Sequence, residues 1–526
     1  MTEAPDDVLV EVTEKFGLLV ESGVVLSEQK LMPEIMGTGC AVFDADGDGR
    51  LDVFLVGGGR PDRGGSPNRL FFRRGERFVE EAAGVEGGGY GTGVAVGDLD
   101  GDGDLDLVEC NWGPNRILLN DGKGRFRDAT AESGLVGNRW TTTAALYDHD
   151  GDGRLDIYIV NYLKYDPKRP CFGDRSDPEY CGPTAFPPDV DELWINRGGG
   201  RFEEIGARAG LARAPGPGLG IAIDDFDGDG RPDVMVANDG AANQLWMNRG
   251  DRLVDEAYAY GVAMNGDGVP EASMGTAMGD VDGDGDLDLI FTHLDSESNT
   301  LYLRVGNAFE DGTGTSGVGV ASLPWTGFGV AFADLDLDGL PDLLVANGRV
   351  RRGTGRVLGT GPLAAYGEPN QVLLNRRGRF AAPKEGTRDF TRRAEVSRAL
   401  AVFDLDDDGD LDVLVTNVGS PPRLYENRIA RRGRWLSVDL RDDRATYPPT
   451  GARVEVTVAH ASGEERTHFA VVRNGDSYQS SVVAPLHLGL GDCERIARIL
   501  VRWTDGTSEE VPVGALDRRI EIRRKS

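Results

Sequence analysis

A nine-residue pattern, Asp-x-Asp-x-Asp-Gly-x-x-Asp, occurs seven times in this chain of 526 residues. Its acidic positions are Asp44, Asp46, Asp48 and Asp52; Asp98, Asp100, Asp102 and Asp106; Asp148, Asp150, Asp152 and Asp156; Asp225, Asp227, Asp229 and Asp233; Asp280, Asp282, Asp284 and Asp288; Asp334, Asp336, Asp338 and Asp342; and Asp404, Asp406, Asp408 and Asp412. Successive copies start 54, 50, 77, 55, 54 and 70 residues apart, so four steps share a period near 50 and the two long steps carry insertions. A repeat of that length matches a propeller blade of four short strands. A chain this long exceeds one ordinary core, and repetition is the way it is organised.

The residues between loops repeat as well. Each loop follows an apolar run such as Gly93-Val94-Ala95-Val96-Gly97 and precedes another such as Leu105-Asp106-Leu107-Val108, both of which read as buried strands. An Asn-led segment (Asn115 to Asn120) and, after a Gly turn, a Phe-led segment (Phe126 to Gly134-Leu135) complete four strands per unit. The seventh unit lacks its Phe-led segment, but Leu9 to Gly17-Leu18 matches it in spacing with no loop before it. The expected fold is therefore all-β: a seven-bladed propeller over 1-430 whose N-terminal strand closes the last blade and removes its open edge. From about Arg431 the aspartate pattern stops and an alternation such as Val454, Val456, Val458 predicts a small β domain over 431-526.

Four carboxylates within nine residues repel one another unless a cation joins them or some protonate. The loops hold 28 of the 88 acidic residues, and seven divalent ions would move the net charge from -31 to -17. Positions 1, 3 and 5 alternate around one centre, the Gly at position 6 permits a sharp turn, and position 7 can offer a carbonyl. An all-oxygen set of this kind favours calcium over magnesium, and loops without Cys disfavour zinc. About seven calcium sites are expected, with position 9 as the closing ligand. The sixth and seventh copies have Leu337 and Asp407 at position 4, and neither change removes a ligand.

Excess acid over the 57 basic residues argues against nucleic acid as a partner. No stretch reaches the roughly 18 apolar residues of a spanning helix. The acidic start, MTEAPDDVLV, lacks a signal-peptide pattern, which reads as a cytoplasmic chain or a trimmed mature form of an extracellular or periplasmic one. Cys171 and Cys181 stand ten apart in a Pro- and Asp-rich segment where a disulfide is easy to form, and such a bond suits an oxidising compartment. These two signals conflict, and the sequence leaves the pair's state open.

Both insertions, Lys164 to Asp191 and Arg349 to Pro369, follow the second strand of a unit, which places them on the face opposite the calcium loops. Long loops on a rigid scaffold are where recognition of a protein, glycan or small molecule tends to sit. Five residues after the last loop aspartate stand Gly57, Asn111, Asn161, Asn238, His293, Asn347 and Asn417. They form either a ring of amides offered to a polar ligand or a set of turn caps, since Asn readily bonds its own backbone. No nucleophile elbow, phosphate loop or HExxH motif is present, and the five histidines are scattered.

The loops and flanking strands resemble the FG-GAP or VCBS repeats of integrin α-subunit propellers and of many bacterial proteins. That resemblance implies calcium at positions 1, 3, 5 and 9 of each loop. The tail is similar to the ASPIC/UnbV domain in Gly451-Ala452-Arg453-Val454, Gly475-Asp476-Ser477-Tyr478, Leu486-His487-Leu488-Gly489-Leu490-Gly491 and Val501-Arg502-Trp503-Thr504-Asp505-Gly506. The whole resembles the cartilage acidic protein-type family, whose animal members are secreted and whose UnbV name comes from bacterial enediyne clusters. Two functions follow as expectations: a calcium-stabilised interaction scaffold, or a non-classical enzyme (cyclase- or isomerase-like) or accessory factor in bacterial specialised metabolism.

Overall fold

The computed structural model describes residues 8–525 apart from 62–63, 174–176, 354–356, 360 and 384–387. Its strands form antiparallel meanders of four, each built like Gly218–Asp224, Asp233–Asn238, Gln244–Asn248 and Leu253–Asp255. Seven such meanders follow one another. Their first strands are Cys40–Phe43, Tyr90–Gly97, Arg139–Tyr147, Gly218–Asp224, Thr276–Gly279, Gly327–Ala333 and Ser397–Phe403. Each first strand lies against the next, and the last returns to Cys40–Phe43, so the chain makes a β-propeller. First and second strands are buried on both faces, as a strand packed between two neighbouring sheets must be, which explains their unbroken apolar runs. Apolar cores such as Val94, Val96 and Leu107 with Phe43 and Phe54 lie between adjacent units.

The displaced N-terminal strand is where its spacing put it. Leu9–Glu11 pairs antiparallel with Arg423–Asn427, Leu9 opposite Asn427, and supplies the fourth strand of the last meander. A one-turn helix, Thr13–Phe16, follows and ends at Gly17 with φ 83°. The internal copy behaves alike: Phe126–Asp128 leads into Thr130–Ser133 and ends at Gly134 with φ 80°. A left-handed residue stops each helix, and glycine takes that conformation without a Cβ clash.

The tail begins with Trp435–Asp442 and forms a three-stranded and a four-stranded sheet around Leu436, Val454, Val456, Ile499 and Trp503. One of its strands leaves the tail: Ser480–Val483 pairs in parallel with Cys40–Phe43, adding a fifth strand to the first meander on the channel side. Gly39 permits this approach, since a Cβ there would stand 1.8 Å from the Gln479 carbonyl oxygen.

Candidate calcium loops and the closed channel

All seven loops fold in one way, and backbone amides impose it. The position 1 carboxylate accepts the N–H of the position 6 glycine, as Asp44 does from Gly49 at 2.8 Å and Asp98 from Gly103 at 3.1 Å. At position 9 one oxygen accepts the N–H of position 2, as Asp106 does from Leu99 at 2.8 Å. The other oxygen accepts an N–H from the third strand, Asn120 to Asp106 at 2.8 Å, and the same pair of bonds recurs at Asp52, Asp156, Asp233, Asp288, Asp342 and Asp412. Position 9 is thus a buried clip between first, second and third strands before any ion is considered. Burial pushes the Asp106 and Asp156 carboxyls up to about 8 and Asp52, Asp233, Asp288 and Asp342 to about 7, against the pull of those N–H groups.

The donor set suits a hard cation. Carboxylate oxygens of Asp44, Asp46 and Asp48, of Asp98, Asp100 and Asp106, of Asp148, Asp150 and Asp156, of Asp225, Asp227 and Asp229, and of Asp280, Asp282 and Asp288 converge to within 4.8 Å of one another in each loop. One Oδ1 of Asp336, a residue 1% exposed, is buried without a hydrogen-bond partner, as is one of Asp46. A buried carboxylate oxygen left unpaired is costly, and a cation would satisfy it. The position 4 glycines hold φ between 73° and 87°, and Leu337 and Asp407 adopt φ 59° and 60° in their place, so the two variant loops keep the turn despite a Cβ.

A second tier of residues escaped the sequence reading. Asn120, Asn196, Asn248, Asn375 and Asn427 end third strands, and each donates its side-chain amide to the position 2 carbonyl of the preceding loop, for example Asn196 to Leu99 at 2.9 Å. Neighbouring units are latched loop to strand in this way. The place of Asn120, Asn196, Asn248 and Asn375 just before a Gly turn was visible in the sequence; their target, one repeat away, was not.

The polar ring has a different use from ligand display. Asn111, Asn161, Asn238, His293, Asn347 and Asn417 are all buried. Asn161, Asn238, Asn347 and Asn417 donate their side-chain amides to carbonyls of the following connection at 2.8 to 2.9 Å, the arrangement of turn caps. The Asn111 side-chain amide donates instead to the carbonyl of Glu109, two residues back, at 3.4 Å. His293 donates from Nδ1 to the Ser298 carbonyl at 2.7 Å, accepts from the Ser273 hydroxyl, and is pushed down to about 4 by burial.

The channel these residues were expected to line is filled. From one side come Met32, Ile35 and Met36 of the helix Met32–Met36, with Tyr180 and Phe186 from the first insertion and Tyr366 from the second. From the side of the aspartate loops comes the tail segment holding Tyr478, whose hydroxyl donates to Met36 at 3.1 Å. On its way this segment bonds Val96 through Asn474, Thr276 through both backbone groups of Ser477, and Leu400 through Ser480. Arg398, fully buried and pushed down to about 9 by burial, donates to the Ile35, Gly348 and Ser397 carbonyls beneath the Phe328 ring.

Cys171 and Cys181 are disulfide-bonded. Beside the bond, Tyr366 donates to Glu179 at 2.6 Å, and Lys30 donates to Tyr366 at 2.7 Å while lying over the Tyr180 and Tyr366 rings. The two insertions and the N-terminal segment therefore meet over the channel. On the side of the aspartate loops a cavity of about 1190 Å³ separates tail from ring, lined by Ala331, Ala401, Val471, Arg473, Asp476 and Ser480.

Comparison with known proteins agrees with this geometry. The FG-GAP-like repeat matches over 44–109, 106–159, 184–236, 225–291 and 280–345, together more than half of the chain, and the ASPIC and UnbV domain over 443–526. The chain belongs to the FG-GAP-like repeat family. Cartilage acidic protein 1 of Homo sapiens is 24% identical over 534 residues, covering 96% of this chain and 74% of the relative; that of Xenopus tropicalis is 25% identical, covering 90% and 71%. Among solved structures, the extracellular domain of a putative hybrid two component system from B. thetaiotaomicron aligns with TM-score 0.41 at 10% identity, over 93% of this chain and 53% of that one. An Agrocybe aegerita lectin aligns with TM-score 0.36 at 18% identity, over 72% and 85%. Likenesses this distant carry no functional argument. This FG-GAP repeat chain has no helix long and apolar enough to cross a membrane among its described residues.

Proposed function

We propose that the chain is a calcium-stabilised interaction scaffold: the seven meanders are seven blades of one ring over 1-430, and a domain from 431 caps its calcium face. The observation that supports it best is the recurrence of converging carboxylates above a buried position 9 clip in loop after loop. Positions 1, 3, 5 and 9 would hold the ion, position 9 converging with positions 1 and 3 in the second, third and fifth loops; calcium would supply charge neutralisation and nothing reactive. The partner, a protein or glycan, would meet the insertion face, where Cys171–Cys181 fixes the first insertion. That bond suits an oxidising compartment.

A small-molecule role, including an accessory part in specialised metabolism, has one observation in its favour, the cavity beside the Arg473–Asp476 pair, which are 2.7 Å apart. His293 does not contribute to it, being buried with both ring nitrogens engaged.

Bound metal and thermal melting of the purified protein, before and after a chelator, test the scaffold reading. Calcium in the preparation and a large, calcium-reversible fall in Tm are expected, since a ligand held at a hundredfold excess over its Kd stabilises by about 2.7 kcal/mol per site. No calcium and no shift would overturn it.

A further inference from the structure

We propose that the seven loops fall into two electrostatic classes, and that the second, fifth and seventh hold calcium tightly while the first, third, fourth and sixth are braced by the protein's own arginines and hold it weakly. This rests on the calcium reading above and sharpens it.

The classes are set at two positions. Position 7 is Arg50, Arg154 and Arg231 in the first, third and fourth loops. Each of these turns back on the position 5 carboxylate: Arg50 Nε stands 3.1 Å from Asp48, and Arg154 and Arg231 pair with Asp152 and Asp229. A second arginine comes from the end of the third strand. Arg74 reaches Asp46 at 2.6 Å, Arg197 stands 3.9 Å from Asp150, and Arg249 pairs with Asp227. The sixth loop has Leu340 at position 7 but receives Arg376, at 3.1 Å from Asp336 and 2.9 Å from Asp338, and Arg432 from the start of the tail, at 3.1 Å from Asp336. In all four, four carboxylates face two guanidiniums, leaving -4 + 2 = -2.

The second and fifth loops have Asp104 and Asp286 at position 7, and Asp121 and Val305 where the third-strand arginine would stand. Among the described residues, no ion pair reaches their five carboxylates, whose hydrogen bonds come from backbone N–H groups such as Gly101 to Asp98 and Gly283 to Asp280. The carboxylates of each therefore carry -5; in the fifth loop the Arg453 guanidinium donates to the Gly285 carbonyl at 3.2 Å without pairing with a carboxylate. The seventh loop has six carboxylates, counting Asp407 and Asp410, against Arg431, at 3.1 Å from Asp408, and Arg519, at 3.9 Å from Asp407, which leaves -6 + 2 = -4. Its third-strand arginine, Arg428, bonds Glu426 at 3.1 Å.

Calcium affinity in oxygen sites follows the charge of the ligand set. In a watery dielectric a divalent ion gains about tenfold in binding for each unit charge about 6 Å away. A difference of two or three charges separates the classes by roughly a hundredfold or more. In the braced loops, and at Asp408 of the seventh, an incoming ion must also displace a guanidinium from an oxygen it needs, whereas in the second and fifth no guanidinium pairs with a carboxylate among the described residues.

The test is calorimetric titration and equilibrium dialysis of the full chain with calcium after chelator treatment. Three tight sites are expected, and a weaker set about a hundredfold below them. Asp100→Asn and Asp282→Asn should each remove one tight site, and Asp46→Asn should remove none. The double variant Arg50→Gln/Arg74→Gln should gain a fourth, a readout that does not depend on how well the aspartate variants fold. Seven equivalent sites, or a tight site lost in Asp46→Asn, would leave calcium binding standing and overturn the classes; no calcium bound at all would overturn both.

Discussion

Within each loop the aspartates share a residue type but not a task. Asp106 spends both oxygens on buried N–H groups, whereas Asp102 accepts one N–H, from Asp104, and is exposed. Leaving two buried donors unpaired costs roughly 2–4 kcal/mol. Asp106→Ala is therefore expected to lower stability by about that amount even without calcium and by more with it, since Asp106 also converges on the ion site, and Asp102→Ala mainly when calcium is present; denaturant melts of both variants with and without chelator compare them. His293 gives a pH signature. Its folded-state value near 4 lies below the ordinary 6.5, so the unfolded chain takes up a proton first and stability falls as pH drops from about 6.5 to 4. His293→Asn, the residue used at Asn238 and Asn347, should lose less Tm than the parent between pH 7 and 5; parallel curves would refute this role. Of these functions, the motif showed the carboxylates. It could not separate clip from ligand, because one of the two partners of position 9 comes from the third strand, 14 or more residues onward.

Elements gain meaning from what they close. Leu9–Glu11 was legible because its spacing copied Phe126 to Gly134, a local pattern that survives removal from its unit. The tail strand Ser480–Val483 was not, since its partner lies over 400 residues away and parallel pairing leaves no turn signal. Tyr478 next to it is fully buried against Phe328 at 4.9 Å between ring centres. Emptying that position should cost about 3–5 kcal/mol. Tyr478→Ala is expected to melt earlier by that measure, while Tyr478→Phe, which loses only the bond to Met36, should cost about 1 kcal/mol.

At the scale of the whole molecule, ring and tail are one folding problem. Arg432 on Asp336, His487 on Gly409 at 2.8 Å and Thr446 on Gly153 dock the tail on the face of the aspartate loops, and the channel segment runs inward from there. A chain ending at 430 would expose the channel side of Cys40–Phe43 and the apolar cluster around Tyr478. Such a truncation is expected to be aggregation-prone or readily cleaved by protease between the first strands, and a stable, protease-resistant product with the parent Tm would refute the interdependence.

The sequence by itself determined the repeat, the all-β class, the loops, the closing N-terminal strand and the change of pattern near Arg431, because each is a local spacing of side chains that dictates a turn or a pleat. The state of Cys171 and Cys181, the use of the Asn positions as caps, the closed channel and the unequal bracing of the loops were decided only by tertiary structure. Each of those depends on which distant atoms fill the space around a residue: Arg432 from the tail meets Asp336, and Met36 from the N-terminal segment meets Tyr478.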